Sequence, residues 1–396
     1  MESSDATIDL GKLEGVAAYV SNTPFACTRI TPLSGGNTNF VYRLHLCTPF
    51  EGRNTLVLKH AKSYVQSNVD FSIDVERQDY EVEALRRVKA WLPSDAVVTV
   101  PAVHAYDATV RAIIMDDAGA EGLPTLKQLF IEHPPTGAIA ASIGAALGEF
   151  LGRLHAWGRS ADGETVINYF AQNTKGKAIS AFVTYGRLAD TLAGVSALPV
   201  LDGPPLGIPE DTLRVIRELA ARRTEDIRTS RETFLMGDYW PGNMLVRLGA
   251  DAEGTVRLER IHIVDWEVAK TGPPGLDVGQ LSAEICTAGR FHPESRGATE
   301  QMLTAFLRRY FARSLADRIG GEQGGRGSTV EATARVALEP FGAHLVAWTP
   351  RVGWGDVQKT REAVLEGVDC LVESSLPGEP GQWTAEGLIG RFLRKG

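Results

Sequence analysis

The feature that most limits the fold of this 396-residue chain is a change of hydrophobic period near residue 118. Before it, short stretches alternate. In "NFVYRLHL", Phe40, Tyr42, Leu44 and Leu46 share one face and Arg43 and His45 the other, the period-2 pattern of a half-buried strand. "NTLVLKHA" and "VRAIIMDDAG" are further apolar strands. Among them lies one helix, "VERQDYEVEALRRVKAWL", with Ala84, Leu85, Val88, Trp91 and Leu92 at helical spacing. From about residue 124 long helices dominate, "GAIAASIGAALGEFLGRLHAWG" and "DTLRVIRELAARR" among them, with two short β-type segments, "MLVRL" and "IHIVDWEV". An antiparallel sheet carrying one helix, followed by a helical region, predicts an α+β fold of two lobes. The expected boundaries are a β-rich lobe over 1–117 and a larger, mainly helical lobe over 118–396.

Composition narrows the classes. The formal charge of −8 argues against a nucleic-acid binder, which shows a basic face. Cys27, Cys47, Cys286 and Cys370 are scattered and form no C-x-x-C pair, so reduced thiols are expected. The start, "MESSDATIDL", has no hydrophobic signal core, and Glu149 and Arg153 interrupt the longest apolar run. A cytoplasmic chain, monomeric and independent of membranes, is the expectation. "IGGEQGGRGST" and "SSLPGEPGQWTAEG" read as an exposed loop and a loosely structured tail.

Four stations carry chemistry. "LSGGNTNFVY" places Gly35 and Gly36, followed by Asn37 and Asn39, in a turn between strands, where bare N–H groups can lie against phosphate oxygens. Lys59 closes an apolar strand, and Glu81, on the helix some twenty residues later, is its expected ion-pair partner, with Glu76 and Glu83 as competitors. Such a pair holds an ammonium against nucleotide phosphates. "MGDYWPGNMLV" sets Asp238 five residues before Asn243, the spacing at which an aspartate orients an acceptor hydroxyl and an asparagine binds magnesium. "IHIVDWEVAKTGPPGLDVG" ends an apolar strand on Asp265, where a metal carboxylate belongs. Any one station is commonplace; all four in this order are not.

At this point the chain resembles the superfamily of aminoglycoside phosphotransferases, choline kinases and methylthioribose kinases, and within it the fungal hydroxytryptamine kinases. "LSGGNTNFVYRLHL", "DFSIDVERQDYE", "MGDYWPGNMLV", "DWEVAKTGPPGLDVG" and "AHLVAWTPRVGWG" carry the likeness, which runs from about residue 30 to about 356. It implies a bilobal, protein-kinase-like fold and transfer of phosphate from ATP, with Mg2+, to a hydroxyl of a small molecule. Lys59 and Glu81 are then the phosphate anchor, Asp238 the catalytic aspartate, and Asn243 and Asp265 the metal ligands. Met115 to Ala118, including Asp116, is the segment where backbone groups meet adenine. Asp277 braces the catalytic loop. Many relatives carry histidine where this chain has Met236, a change that bears on loop rigidity.

Two other classes compete. A kinase-fold protein that binds nucleotide or a small metabolite without transfer is the alternative, weighed against because all the residues the chemistry requires are present. A protein kinase is disfavoured because no A-P-E segment follows "DWEV". Trp240, Glu267, Trp348 and Trp354 are candidates to line the acceptor pocket, since aromatic faces suit aromatic or amine-bearing ligands.

Overall fold

The computed structural model describes residues 8–33, 38–66, 68–119, 122–319, 330–376 and 384–393. The turn of Gly35, Gly36 and Asn37, the Gly-rich stretch over 320–329 and part of the tail, 377–383, lie outside the described residues. The chain divides into two compact units, Met1–Leu123 with His262–Glu267, and Pro124–Ile261 with Val268–Gly396.

The first unit runs α1 (Leu13–Val20), β1 (Cys27–Pro32), β2 (Phe40–Phe50), β3 (Arg53–His60), β4 (Tyr64–Val65), β5 (Asn68–Ser72), α2 (Arg77–Trp91), β6 (Val98–Thr99), β7 (Val103–Asp107) and β8 (Ala112–Asp116). Its main sheet has the order β1-β2-β3-β8-β7, antiparallel at every step. The alternation in β2 does what its period requires: Tyr42 and Leu44 are buried with Leu56, Leu58 and Ile114 under Val16 and Val20 of α1. Helix α1 had no signal strong enough to be read from the sequence. The register sets Lys59 opposite Val41 and Ile113 in the middle of the sheet.

The second unit is mainly helical: α3 (Leu126–Glu132), α4 (Gly137–Arg159), α5 (Glu164–Phe170), α6 (Thr174–Ala181), α7 (Leu188–Leu192), α8 (Pro199–Asp202), α9 (Glu210–Thr229), then α10 (Gly275–Phe291), α11 (Arg296–Ile319), α12 (Val330–Ala347), α13 (Val357–Ser375) and α14 (Ala385–Phe392). Short strands β9 (Thr233–Leu235), β10 (Met244–Ala250), β11 (Val256–Ile263) and β12 (Lys270–Gly272) interrupt the helices. β12 pairs antiparallel with β9, which holds the segments before Asp238 and after Glu267 in register.

Helix α4 is long and apolar enough to cross a membrane by length and composition alone, despite Glu149 and Arg153, but 56% of its most apolar window is buried inside the protein. Gly144 and Gly148 lie one turn apart on the side facing α11, where a Cβ would collide with the carbonyls of Met302 and Phe306. The small residues that stand out in this stretch therefore serve close helix approach, and the helix is a core element.

Candidate active site

In the first unit the sheet, α2 and the segment 262–267 deliver a buried charge cluster. Lys59, 4% exposed, sits on β3, and its Nζ donates to Glu81 Oε1 at 2.8 Å and to Asp265 Oδ1 at 2.5 Å. Glu81, fully buried on α2, also accepts the Trp266 N–H at 3.3 Å. The competing acids are placed elsewhere: Glu83 pairs with Arg87, and Glu76 is an exposed residue at the N-cap of α2.

Around this pair lies a second layer that sequence reasoning missed. Glu267 Oε2 accepts from Asn39 Nδ2 at 2.7 Å and from Arg77 Nε at 3.1 Å, while Arg77 Nη2 donates to Asn39 Oδ1 at 2.8 Å. Glu267 is neither a surface acid nor directed to an acceptor; it is 7% exposed and closed into this triangle. Gln78 Nε2 donates to the Lys59 carbonyl at 3.2 Å. The signal available was the placing of Arg77 and Gln78 one turn before Glu81 on the same helix.

The charges do not balance. Glu81, Asp265 and Glu267 offer ligand oxygens within 4.8 Å of one another, against two cations, Lys59 and Arg77. Burial works against the Lys59 ammonium, but Asp265, Glu81 and Glu267 outweigh it and hold its pKa above the ordinary range. Burial also pushes the Glu81 carboxyl up, against Lys59, with Asp265 and Glu267 adding to the rise. Three carboxylates sharing too little positive charge suit a further cation, and an all-oxygen donor set suits magnesium. Of the three, Asp265 is the one that reaches solvent, its side chain 33% exposed against 0% and 8% for Glu81 and Glu267. Asp265 also has φ +64°. Left-handed backbone at a non-glycine residue is uncommon, and aspartate is among the residues that tolerate it.

The Met115–Ala118 segment ends β8. Met115 is buried and paired with Val57 on one side and Val103 on the other. The Asp116 N–H donates to the Ala102 carbonyl at 2.9 Å. Burial would raise the Asp116 carboxyl, but the Ala102 N–H, His104 and Arg53 outweigh it and hold it below the usual range. Arg43 clamps the next residue, Asp117, with Nε to Oδ2 at 2.5 Å, and donates to the Gly119 carbonyl at 2.7 Å. Ala118, between them, is buried.

In the second unit, the loop after β9 is suspended from α10. Asp277, buried on α10, accepts the Met236 N–H on Oδ2 and the Gly237 N–H on Oδ1, each at 3.0 Å. Gly237 has φ +82°, and a Cβ there would strike Lys270 Nζ and the Val268 carbonyl, so only glycine fits. Asp238, next in line, has both carboxylate oxygens occupied: Gln280 Nε2 donates to Oδ1 and Asn243 Nδ2 to Oδ2, each at 2.9 Å. The five-residue spacing to Asn243 is spanned by a 3-10 turn over Pro241–Asn243.

Met236, where the family resemblance leads to an expected histidine, is fully buried. An imidazole reaches Asp277 by another route: His155, on α4, places Nε2 3.4 Å from Asp277 Oδ2 and Nδ1 2.9 Å from Tyr310 Oη. Burial lowers the His155 pKa against the opposing pull of Asp277, which keeps the ring neutral, with Nε2–H toward the carboxylate and Nδ1 accepting from Tyr310. Lys270, 1% exposed, places Nζ 3.4 Å from the carbonyls of Gly237 and Val268. Burial pushes it down to about 8, opposed by Asp277 and Asp238 and assisted by Lys177. Lys270 lies within the "DWEVAKTGPPGLDVG" stretch but was given no role there, and His155 and Gln280 carried no motif; only the helical offset of Gln280 from Asp277, three residues, hinted at a shared face.

Beside this loop, Lys127 Nζ lies 5.3 Å from the centre of the Trp240 ring and 5.1 Å from that of Trp354. Trp354 stacks on Phe291 at 4.9 Å. Glu284, one turn along α10 from Gln280, meets His344 Nε2 at 2.7 Å, and Trp348 stacks on His344 at 6.3 Å.

A 4-hydroxytryptamine kinase of Psilocybe cyanescens is 33% identical over 96% of this chain and 97% of that protein. The 4-hydroxytryptamine kinase of Psilocybe cubensis is 30% identical over 95% and 97%. Phosphotransferase FrzJ of a Cladobotryum species is 26% identical over 69% of this chain and 72% of its own. Residues 29–321 match the family described as "Phosphotransferase enzyme family"; the chain belongs to that family and is an ATP-using kinase that phosphorylates a hydroxyl group of a small molecule.

Proposed function

We propose that the acceptor is a hydroxylated aromatic compound carrying an amine, and that Asp238 orients and deprotonates its hydroxyl. The observation that carries this is the fixing of both Asp238 oxygens by Gln280 and Asn243 within a loop suspended from Asp277. A carboxylate so held keeps its place while a proton arrives. In the reaction the hydroxyl proton passes to Asp238 as the oxygen bonds to the γ-phosphorus. The bond from that phosphorus to the bridging oxygen breaks, and ADP leaves.

Lys59, positioned by Glu81, anchors the α- and β-phosphates. Asp265 would hold magnesium by its exposed carboxylate and Asn243 by its amide oxygen, its Nδ2 being turned to Asp238. Bound magnesium supplies charge neutralisation across the β- and γ-phosphates. Asn39, tied to Glu267 and Arg77, contributes to the nucleotide side of the site, and the backbone of Met115, Asp116 and Ala118 meets adenine.

Two observations support the acceptor class. Both Psilocybe relatives are named for a hydroxytryptamine, an aromatic amine with a ring hydroxyl. Trp240, two residues from Asp238, shares with Trp354 an ammonium, that of Lys127, so these faces already accept a cation. The test is an ADP-release screen with ATP and magnesium over hydroxyaryl amines, amino alcohols, sugars and aliphatic alcohols. Turnover concentrated in the hydroxyaryl amines is expected; a preference for sugars or aliphatic alcohols would refute the acceptor class.

A further inference from the structure

Two arginines of the second unit converge on one tryptophan. Arg187, at the start of α7, lays its guanidinium over the Trp348 ring, 4.4 Å from the centroid. Arg351 donates its backbone N–H to the Trp348 carbonyl at 2.9 Å. Thr191 ties the two: its Oγ1 donates to the Arg187 carbonyl at 2.8 Å and accepts from Arg351 Nη2 at 3.0 Å. Arg351 is also bonded to the Ala347 carbonyl at 2.6 Å and to Ser196 Oγ at 3.3 Å. Arg187 Nε donates to the Val183 carbonyl at 3.1 Å, but its Nη2 is buried without a hydrogen-bond partner. Thr349, next to Trp348, buries its hydroxyl the same way.

Other part-buried arginines of this unit meet carboxylates: Arg223 with Glu339 and Asp226, Arg391 with Glu373 and Glu366. Among the described residues, no acid offsets Arg187 or Arg351. Burial and the charge of Arg351 press Arg187 down to about 10, and burial lowers Arg351 as well. A guanidinium keeps its charge at neutral pH. Two like charges, both partly buried and with one donor unused, gain from an anion that joins them, and the planar fork matches an oxyanion.

We propose that Arg187 and Arg351, gathered on Trp348, form a binding site for an oxyanion, a carboxylate or a phosphate. The site goes beyond the acceptor reading above, which requires no anion. It is nevertheless linked to the catalytic loop by a row of contacts: Trp348 to His344, His344 to Glu284, and Glu284 one turn along α10 from Gln280. An acidic group on the acceptor is therefore one source of the anion, and free phosphate is the other.

Two arms separate these sources, each run on the wild type, on Arg187→Gln, which keeps planar stacking without charge, and on Arg187→Lys. In the first, inorganic phosphate is titrated at constant ionic strength and followed by calorimetry. In the second, KM is compared for a hydroxyaryl acetic acid and the matching hydroxyaryl ethanol. Arg187→Gln should weaken phosphate binding, or raise KM for the acid alone, by about tenfold or more, with partial recovery in Arg187→Lys and unchanged KM for ATP. The arm that responds names the source. If Arg187→Gln moves neither quantity, Arg187 only stacks on Trp348 and the site is refuted. Because a hydroxyaryl amine assayed alongside reports phosphoryl transfer in every variant, failure of the anion site is distinct from failure of the kinase reading.

Discussion

Gln280 holds the Asp238 loop at two points, donating Nε2–H to Asp238 Oδ1 at 2.9 Å and accepting the Tyr239 N–H on Oε1 at 3.1 Å. The Asp238 carboxylate, proposed to meet the acceptor, and the backbone that follows it are thus fixed by one side chain on a helix. Gln280→Met keeps the volume and removes both bonds, while Asp277 still holds Met236 and Gly237. A small misplacement of a reacting group costs on the order of 10²-fold. The expected result is a fall in kcat of about ten- to a hundredfold with KM for ATP unchanged, read by steady-state ADP release. An unaltered kcat would show that Asn243 alone positions Asp238.

Asp238→Asn should lower turnover by about a hundredfold or more, the usual range for loss of a general base. The site adds a second consequence. Both neighbours of the carboxylate are amide donors, so an asparagine can offer its oxygen to one of them and must turn its NH2 toward the other. That donor–donor contact should cost roughly 1 kcal/mol of stability, seen as a small drop in Tm, while ATP still raises Tm as in the wild type. Wild-type turnover in the variant would remove Asp238 from the chemistry.

Asp265→Asn isolates the metal role, because asparagine also tolerates the left-handed backbone at φ +64°. The change therefore removes charge with little added strain. A carboxylate gives magnesium a full negative charge, whereas the Asn243 amide gives a dipole. The magnesium needed for half-maximal activity should rise more in Asp265→Asn than in Asn243→Gln, and ATP binding should weaken with magnesium but hardly in EDTA. An unshifted magnesium titration would return Asp265 to being a partner of Lys59 alone.

The features legible in the sequence were those whose physics is local. Alternation in β2 and helical spacing in α2 follow from burial of one face, and Lys59 on β3 and Glu81 on α2 are both buried. The five-residue interval between Asp238 and Asn243 is local as well. Contacts set by tertiary packing were not legible. His155 reaches Asp277 across 122 residues and Arg77 reaches Glu267 across 190, and nothing near either residue names its partner. Glu267, named as a candidate to line the acceptor pocket, belongs with these: only the packing of α2 shows Arg77 and Asn39 already on it.

Lys270 makes the pH dependence of stability testable. Its pKa falls from 10.5 to about 8 on folding, so between those values the unfolded chain binds more protons and stability rises with pH. Burial drives the fall, with Lys177 adding to it, and together they outweigh Asp277 and Asp238, which favour the charged form. Lys270→Met removes this titration while filling the same space. At pH 7 the charged lysine is held against its burial cost, which at 1.36 kcal/mol per pKa unit is about 3 kcal/mol at most. Loss of the weak bonds to the Gly237 and Val268 carbonyls offsets about 1 kcal/mol of the gain. The variant should therefore be more stable than the wild type at pH 7 by about 2 kcal/mol. That difference should shrink from pH 8 upward and vanish or reverse near 10.5. Urea denaturation of both proteins at pH 7, 8.5 and 10 measures it, since groups common to the two cancel in the comparison. A difference that stays constant across the series would mean that Lys270 keeps an ordinary lysine pKa beneath the Asp238 loop.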